Sequence, residues 1–371
     1  MHSFKAIPPP DSLARPASHV GSMAATGRSN SALREAIGGH AWPDIESMLG
    51  GDFDLTWSRR AKYRIRLLRT LMARRSLLQE CARYPLAQAL LCRRPRSLYP
   101  QMNHLLDRRL QTRERLAATV ASIRMIDTWL PETRQVDLLA EELTLLTLDD
   151  GTRITFGLSG VSFHEGLWQV GLIAPEGTRL YSLGFGLTDA RTLLIGNVQG
   201  PSLGVDGPEL IRQATHAAHG MRPPHLLVHA LRLLARQWGI EVLLGIDPAN
   251  HVKGRWNLRR SRLRFDYAGF WMEHGAVRDR DGNWRLPLAE DTRALADVPT
   301  KRRAMYRRRY AMLTQLEMAI SLLSSHAHAA VETARVAHAD SETEAVRPGP
   351  GKASAQDAVS ASKVESSEVH A

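Results

Sequence analysis

The chain has 371 residues, 43% of them hydrophobic and 23% charged, the composition of an ordinary globular protein long enough for a sizeable core. No stretch approaches the roughly 18 consecutive apolar residues of a membrane-spanning helix, so a helical membrane protein is excluded and a soluble one expected. The net charge of +11 rests on 43 Arg and 6 Lys; a GC-rich genome produces such a ratio by itself, so only the clustering of the arginines carries information.

Residues 1–31 are poor in large apolar side chains and read as a disordered segment. Pro, Ser and Gly stand where a signal peptide would carry an apolar core, which makes the cytoplasm the expected location. Residues 32–130 read as a basic helical region, with Leu67, Leu68, Leu71 and Met72 at the spacings of one helix face and Pro85, Pro95 and Pro100 as breaks. Between Trp57 and Arg115 sixteen Lys and Arg face three acids, Glu80, Asp107 and Glu114. The two cysteines, Cys81 and Cys92, lack metal-ligand spacing and are expected to be buried thiols in a reducing compartment.

Residues 131–325 read as an α+β domain with a mixed, mainly antiparallel sheet and flanking helices. TRITFGLS, LWQVGLIAP, RLYSLGFGL and TLLIGNVQG are predicted strands, joined by turns at Gly160, Pro175-Glu176-Gly177 and Asp189 short enough for antiparallel neighbours. Helices are predicted over 208–219 and 224–238, the second ended by Gly239, and EVLLGID follows as a buried strand. Further strands are expected at 262–265 and 284–288, and a long helix over 301–323 capped by Thr300. Residues 326–371 contain no Leu, Ile, Met, Phe, Tyr or Trp and read as a disordered tail, in which His326 and His328 are incidental.

From about Phe163 to Leu313 the blocks HEGLWQVGLI, RLYSLGFGL, LLIGNVQGP, HGMRPPHLLVHALRLLARQWGI, DYAGFW and VPTKRRAMYRRRY occur in order. In these the chain resembles the VirK/YbjX family of bacterial proteins. The resemblance implies an association with virulence, envelope stress, antimicrobial-peptide tolerance and the DNA-damage response of Gram-negative bacteria; it implies no reaction and carries no catalytic residues over. Some members of that family are considered exported.

Four constellations could carry chemistry. Gln199-Gly200-Pro201-Ser202-Leu203-Gly204 lies between a predicted strand and a helix, where backbone N–H groups can hold phosphate. Its spacing resembles the Gln/Arg-x-x-Gly-x-Gly loop of the acetyltransferase superfamily, with Ser202 in place of the first Gly, and this makes Gln199, Gly200, Ser202 and Gly204 candidates for binding acyl-CoA; the plainer reading is a turn that reverses the chain. His216, His219, Arg222 and His225 gather at the break between two helices, a histidine for proton transfer beside an arginine for an anion. His251, Asp266, Tyr267, Trp271, Glu273 and His274 follow the buried strand, where ligands bind in open sheets, although DYAGFW reads equally as an aromatic flap on the core. His164 and Glu165 are excluded as a joint acid and base, because neighbours on a strand point to opposite faces. No set has metal-ligand spacing.

The fourth feature is charge. Lys253 to Arg264 and Lys301 to Arg309 are basic runs, the second with Arg302, Arg303, Arg307 and Arg308 interleaved with Tyr306 and Tyr310. Such runs attract nucleic acid or anionic lipid, while the acids Glu273, Asp279, Asp281, Glu290 and Asp291 can neutralise them internally. Three functions follow in order: a non-catalytic accessory protein that binds a protein or anionic partner through its basic surface, an acyl-CoA-dependent acyltransferase, and a nucleic-acid or membrane-surface binder. Whether the protein is an enzyme stays open at this stage.

Overall fold

The computed structural model describes residues 42–49, 56–201, 207–254, 265–289 and 292–324. The described residues ahead of the sheet are helical: α1 (Ile45–Leu49), α2 (Trp57–Arg69), α3 (Leu71–Cys81), α4 (Pro85–Arg93), a 3-10 turn over Pro95–Met102, α5 (Thr112–Trp129) and α6 (Glu132–Ala140). Pro85 and Pro95 each open a new element, since a proline at the first helical position gives up only an amide that has no partner there. A capping box fixes the start of α5, in which Glu114 accepts the Gln111 amide at 2.6 Å.

The sheet has eight strands in the order β1 (Leu143–Thr147), β2 (Arg153–Leu158), β3 (Trp168–Ile173), β4 (Arg179–Leu187), β5 (Thr192–Gln199), β6 (Val242–Gly245), β8 (Trp284–Leu286), β7 (Val277–Arg278). The first five strands form an antiparallel meander; α7 (Gly207–Ala217) and α8 (Pro223–Gln237) then carry the chain over to β6, which runs parallel to β5. After β6 come α9 (Tyr267–Glu273), the antiparallel pair β7 and β8, and α10 (Thr300–Leu322). An α+β fold with a mixed, mainly antiparallel sheet is what the sequence patterns predicted. Strand β1 was not among them, because the run leading into it carries no glycine or proline break.

Register explains where the core sits. Phe156, Trp168 and Phe185 are on one face of β2, β3 and β4, where Trp129 at the end of α5 and Trp238 beyond α8 pack edge-on or tilted against them. The opposite face alternates small and polar residues, Thr155, Gly157, Gln169, Gly171, Ser182 and Gly184. On α8 the residues Leu226, Leu227, Ala230, Leu231 and Leu234 are all buried, and Gly239 follows with a φ of 65° that relieves the chain at the helix end.

Several expectations are corrected. Cys92 is exposed while Cys81 is buried, because α4 turns Leu86, Ala87, Leu90 and Leu91 inward and leaves Cys92 on its outer side. Burial pushes the Cys81 thiol up to about 12. Thr300 is the first residue of α10 and makes no side-chain cap; Pro299 precedes it in extended conformation. Phe265 is not in a strand, and 262–264 lie outside the described residues. Leu68, Leu71 and Met72 share a face as their spacing requires, but that face is exposed. The two terminal stretches, 1–31 and 326–371, also lie outside the described residues.

Candidate functional site

Strands β5 and β6 pair only from Thr192 with Val242 to Ile195 with Gly245, whereas β5 runs on to Gln199. Beyond that point β5 has no strand on its β6 side among the described residues. A bulge falls at the same place: Gly184 faces Asn197 and Phe185 faces Ile195, which leaves Gly196 as an extra residue. Gly196 is required by what lies against it, since a Cβ there would sit 1.9 Å from the carbonyl oxygen of Glu165. The loop before β3 thereby rests directly on β5 and delivers the Glu165 carboxylate into the sheet.

Glu165 is almost fully buried and meets three partners. Lys253 Nζ donates to its Oε2 at 2.9 Å and Asn197 Nδ2 to the same oxygen at 3.1 Å. His251 Nε2 stands 3.1 Å from Oε1, off the line of a well-aligned hydrogen bond. The backbone N–H of Lys253 donates to His251 Nδ1 at 3.1 Å, which places the imidazole proton on Nε2, facing the carboxylate. Burial alone would raise the Glu165 carboxyl; the His251 contact and the charge and hydrogen bond of Lys253 together outweigh it and hold the group at about 2. Glu165 is thus held as an anion at neutral pH, and the lone pair of His251 is already engaged.

Tyr267 opens α9, whose first turn is fixed by the Asp266 carboxylate accepting the Gly269 amide at 3.0 Å. Its hydroxyl accepts the Val198 N–H at 3.3 Å, on the stretch of β5 where β6 has ended. Burial raises the phenol above its ordinary value, so it keeps its proton. Trp271 lies flat on Gly245, where a Cβ would come within 2.4 Å of its ring, and its indole donates to the Ile246 carbonyl at 3.0 Å.

The constellations read from sequence are rearranged. His164 and Glu165 do diverge: His164 Nδ1 meets the His104 carbonyl at 2.7 Å, and burial lowers its pKa. The two lie in the turn ahead of β3 and not on a strand, so alternation does not govern them, and Glu165 faces His251 instead. Arg222 and His225 leave His216 and His219 and join Glu273, the arginine at 2.5 Å and the imidazole at 3.0 Å from Oε2. The His225 and His274 rings lie 4.5 Å apart in the same group. His216 and His219 instead line a cleft of about 1070 Å³ with Asp149, Glu176, Arg212 and Arg308. Asp266 is a cap and Trp271 a core residue.

Gln199 is exposed at the end of β5, and Gly200 follows with room for a Cβ only 3.3 Å from the Tyr181 ring. Ser202 and Gly204 lie outside the described residues, as do Arg255 to Arg264. On α10, Arg303 donates to the Val298 and Ala296 carbonyls and Arg309 to that of His219, while Arg302, Arg307 and Arg308 are exposed and make no ion pair among the described residues. Glu273 is committed to Arg222 and does not neutralise this helix.

Residues 55–321 match the family described as "Protein of unknown function (DUF535)". An uncharacterised protein of Haemophilus influenzae is 33% identical over 219 residues, 58% of this chain and 74% of that protein. The Escherichia coli uncharacterised protein YbjX is 32% identical over 147 residues, 38% of this chain and 44% of that protein. A protein of Mannheimia haemolytica named membrane protein LapB is 26% identical over 209 residues, 56% of this chain and 91% of that protein. Among the described residues no helix is long and apolar enough to cross a membrane.

Proposed function

The chain belongs to the VirK/YbjX family, the DUF535 proteins, and we propose that it is an acyltransferase that takes its acyl group from an acyl-CoA donor. The observation that carries this reading is the parting of β5 and β6 after Ile195 and Gly245. It leaves the Val198 amide to the Tyr267 hydroxyl instead of a strand, at the carboxyl end of a parallel pair, the place where open sheets receive ligands. Gln199 and Gly200 lead from that opening towards α7, whose first-turn acid Glu209 is offset by Arg212 and Gln213 at 2.6 and 2.9 Å.

The roles follow from the chemistry of each group. An acceptor amine or hydroxyl bonds to the acyl carbon and the C–S bond breaks. Tyr267, kept protonated by burial, gives its proton to the departing sulfur, and the proton lost by the acceptor returns to the phenol through solvent. Glu165 is too weak a base to take the acceptor's proton. It is a positioning residue that holds Lys253, Asn197 and His251 beside the opening.

Calorimetry with acetyl-CoA tests the reading: binding competed by free CoA is expected, and no heat at millimolar donor overturns it. Tyr267→Phe should retain donor binding and lose turnover.

A second reading is favoured by Arg302, Arg307 and Arg308, which are exposed and make no ion pair among the described residues. In it the protein serves virulence, envelope stress or the DNA-damage response from the cytoplasm by binding a protein or other anionic partner, nucleic acid included. Affinity for a polyanion that falls steeply with salt is expected, and absence of binding at low salt removes this reading.

A further inference from the structure

The helices α2 and α3 expose an unusual surface. Trp57, Ile65, Leu68, Leu71 and Met72 recur at spacings that keep them on one side of the helical run. Trp57 is 83% exposed, Leu68 78% and Met72 71%. The inward side is well anchored: Tyr63 is buried with its hydroxyl on the Pro43 carbonyl at 2.8 Å, and Leu77 and Cys81 are buried further along. The outward orientation of the apolar stripe is therefore set by packing. Elsewhere among the described residues the exposed large apolar side chains stand singly, as Val136, Val161 and Val277 do, or as the one i, i+4 pair Met318 and Leu322.

Charge surrounds the same stripe. Arg59, Arg60, Lys62, Arg64, Arg66, Arg69, Arg74 and Arg75 lie between Trp57 and Gln79, and no acid occurs in that interval. Lys62, Arg64, Arg69 and Arg75 are exposed and make no ion pair among the described residues. Neither half of this surface suits water or a polyelectrolyte alone. A nucleic acid would satisfy the cations and leave five large apolar side chains in solvent, whereas an anionic bilayer satisfies both, taking the apolar edge between its headgroups and the cations at its surface.

We infer that the Trp57 to Arg75 face docks on the surface of a membrane that contains anionic phospholipid. The contact is peripheral, with the helices lying in the plane of the headgroups. It is independent of the acyl-transfer reading, since no residue of the Glu165 and Tyr267 site takes part.

Flotation of the full chain with vesicles tests it. The protein should float with vesicles of phosphatidylglycerol and phosphatidylcholine and stay behind with phosphatidylcholine alone, and salt should weaken the binding. Arg64→Gln with Arg69→Gln should cost about fivefold in affinity for each charge removed. Leu68→Ser with Met72→Ser should cost about tenfold or more, through loss of apolar burial. These positions are exposed, and unchanged thermal unfolding of the variants shows that the fold is kept. Vesicle binding that neither pair weakens would place the contact elsewhere and overturn the inference. So would equal binding to both vesicle types, or binding to single-stranded DNA with none to anionic vesicles.

Discussion

The carboxylate of Glu165 and the imidazole of His251 stand 3.1 Å apart, each almost completely shielded from solvent, although one precedes β3 and the other follows β6. Two features bring them together. The Gly196 bulge lets the loop bearing Glu165 press against β5, and the turn after β6 brings His251 and Lys253 to the same spot.

The pH dependence of stability follows from this group. The folded state binds the Glu165 proton more weakly than the unfolded chain, so the contribution is complete above the ordinary value of 4.5 and disappears as pH falls towards about 2. The full effect is about 3 kcal/mol. Denaturant titrations across this range should show a steep acid limb in the natural protein and a shallower one in Glu165→Gln.

Gly196→Ala places a methyl group on the Glu165 carbonyl, which is backbone and cannot rotate away. A loss of about 3 kcal/mol is expected. Chemical denaturation should show the midpoint falling, and the Lys253 contact should loosen with it.

Tyr267→Phe removes one hydroxyl from a buried position and leaves the Val198 N–H without its acceptor. Stability should fall by about 1 kcal/mol. Donor turnover should fall far more than that loss explains, because the phenol is assigned the proton for the leaving sulfur.

Glu273→Gln breaks a cluster that resembles the Glu165 site on paper, a carboxylate with an arginine and a histidine. Here the ion pair is open to water, with Arg222 60% and Glu273 49% exposed, and only His225 is largely covered. Stability should change by less than about 1 kcal/mol. The contrast with Glu165→Gln, read in the same denaturation assay, measures what burial adds.

The strands of the meander were legible because each combines β-branched or aromatic residues with a Gly, Pro or Asp turn at its end, as in RLYSLGFGL. Leu143–Thr147 was not, since helix and strand meet there without punctuation. Spacing groups Arg222 and His225 with His216 and His219, whereas the fold joins them to Glu273, because spacing along the chain says nothing about which side of α8 faces α9. His251 and Tyr267 stand out in the sequence, whereas Glu165 does not, because the pattern places it with His164 on a strand and the two in fact lie in the turn ahead of β3. The overlooked signal was Gly184 and Gly196 inside strands, which announces that another piece of backbone lies close.

The helical half and the sheet share Ser122. Its carbonyl accepts the Trp168 indole at 2.9 Å, and its hydroxyl accepts the Leu187 amide at 2.8 Å. As the polypeptide leaves the ribosome, α5 emerges well before either donor, and its Ser122 side stays open until β3 and β4 arrive. Closure of this protein therefore waits on late contacts between distant segments, and a nascent chain halted before Leu187 presents an adhesive helix face that chaperones would be needed to shield.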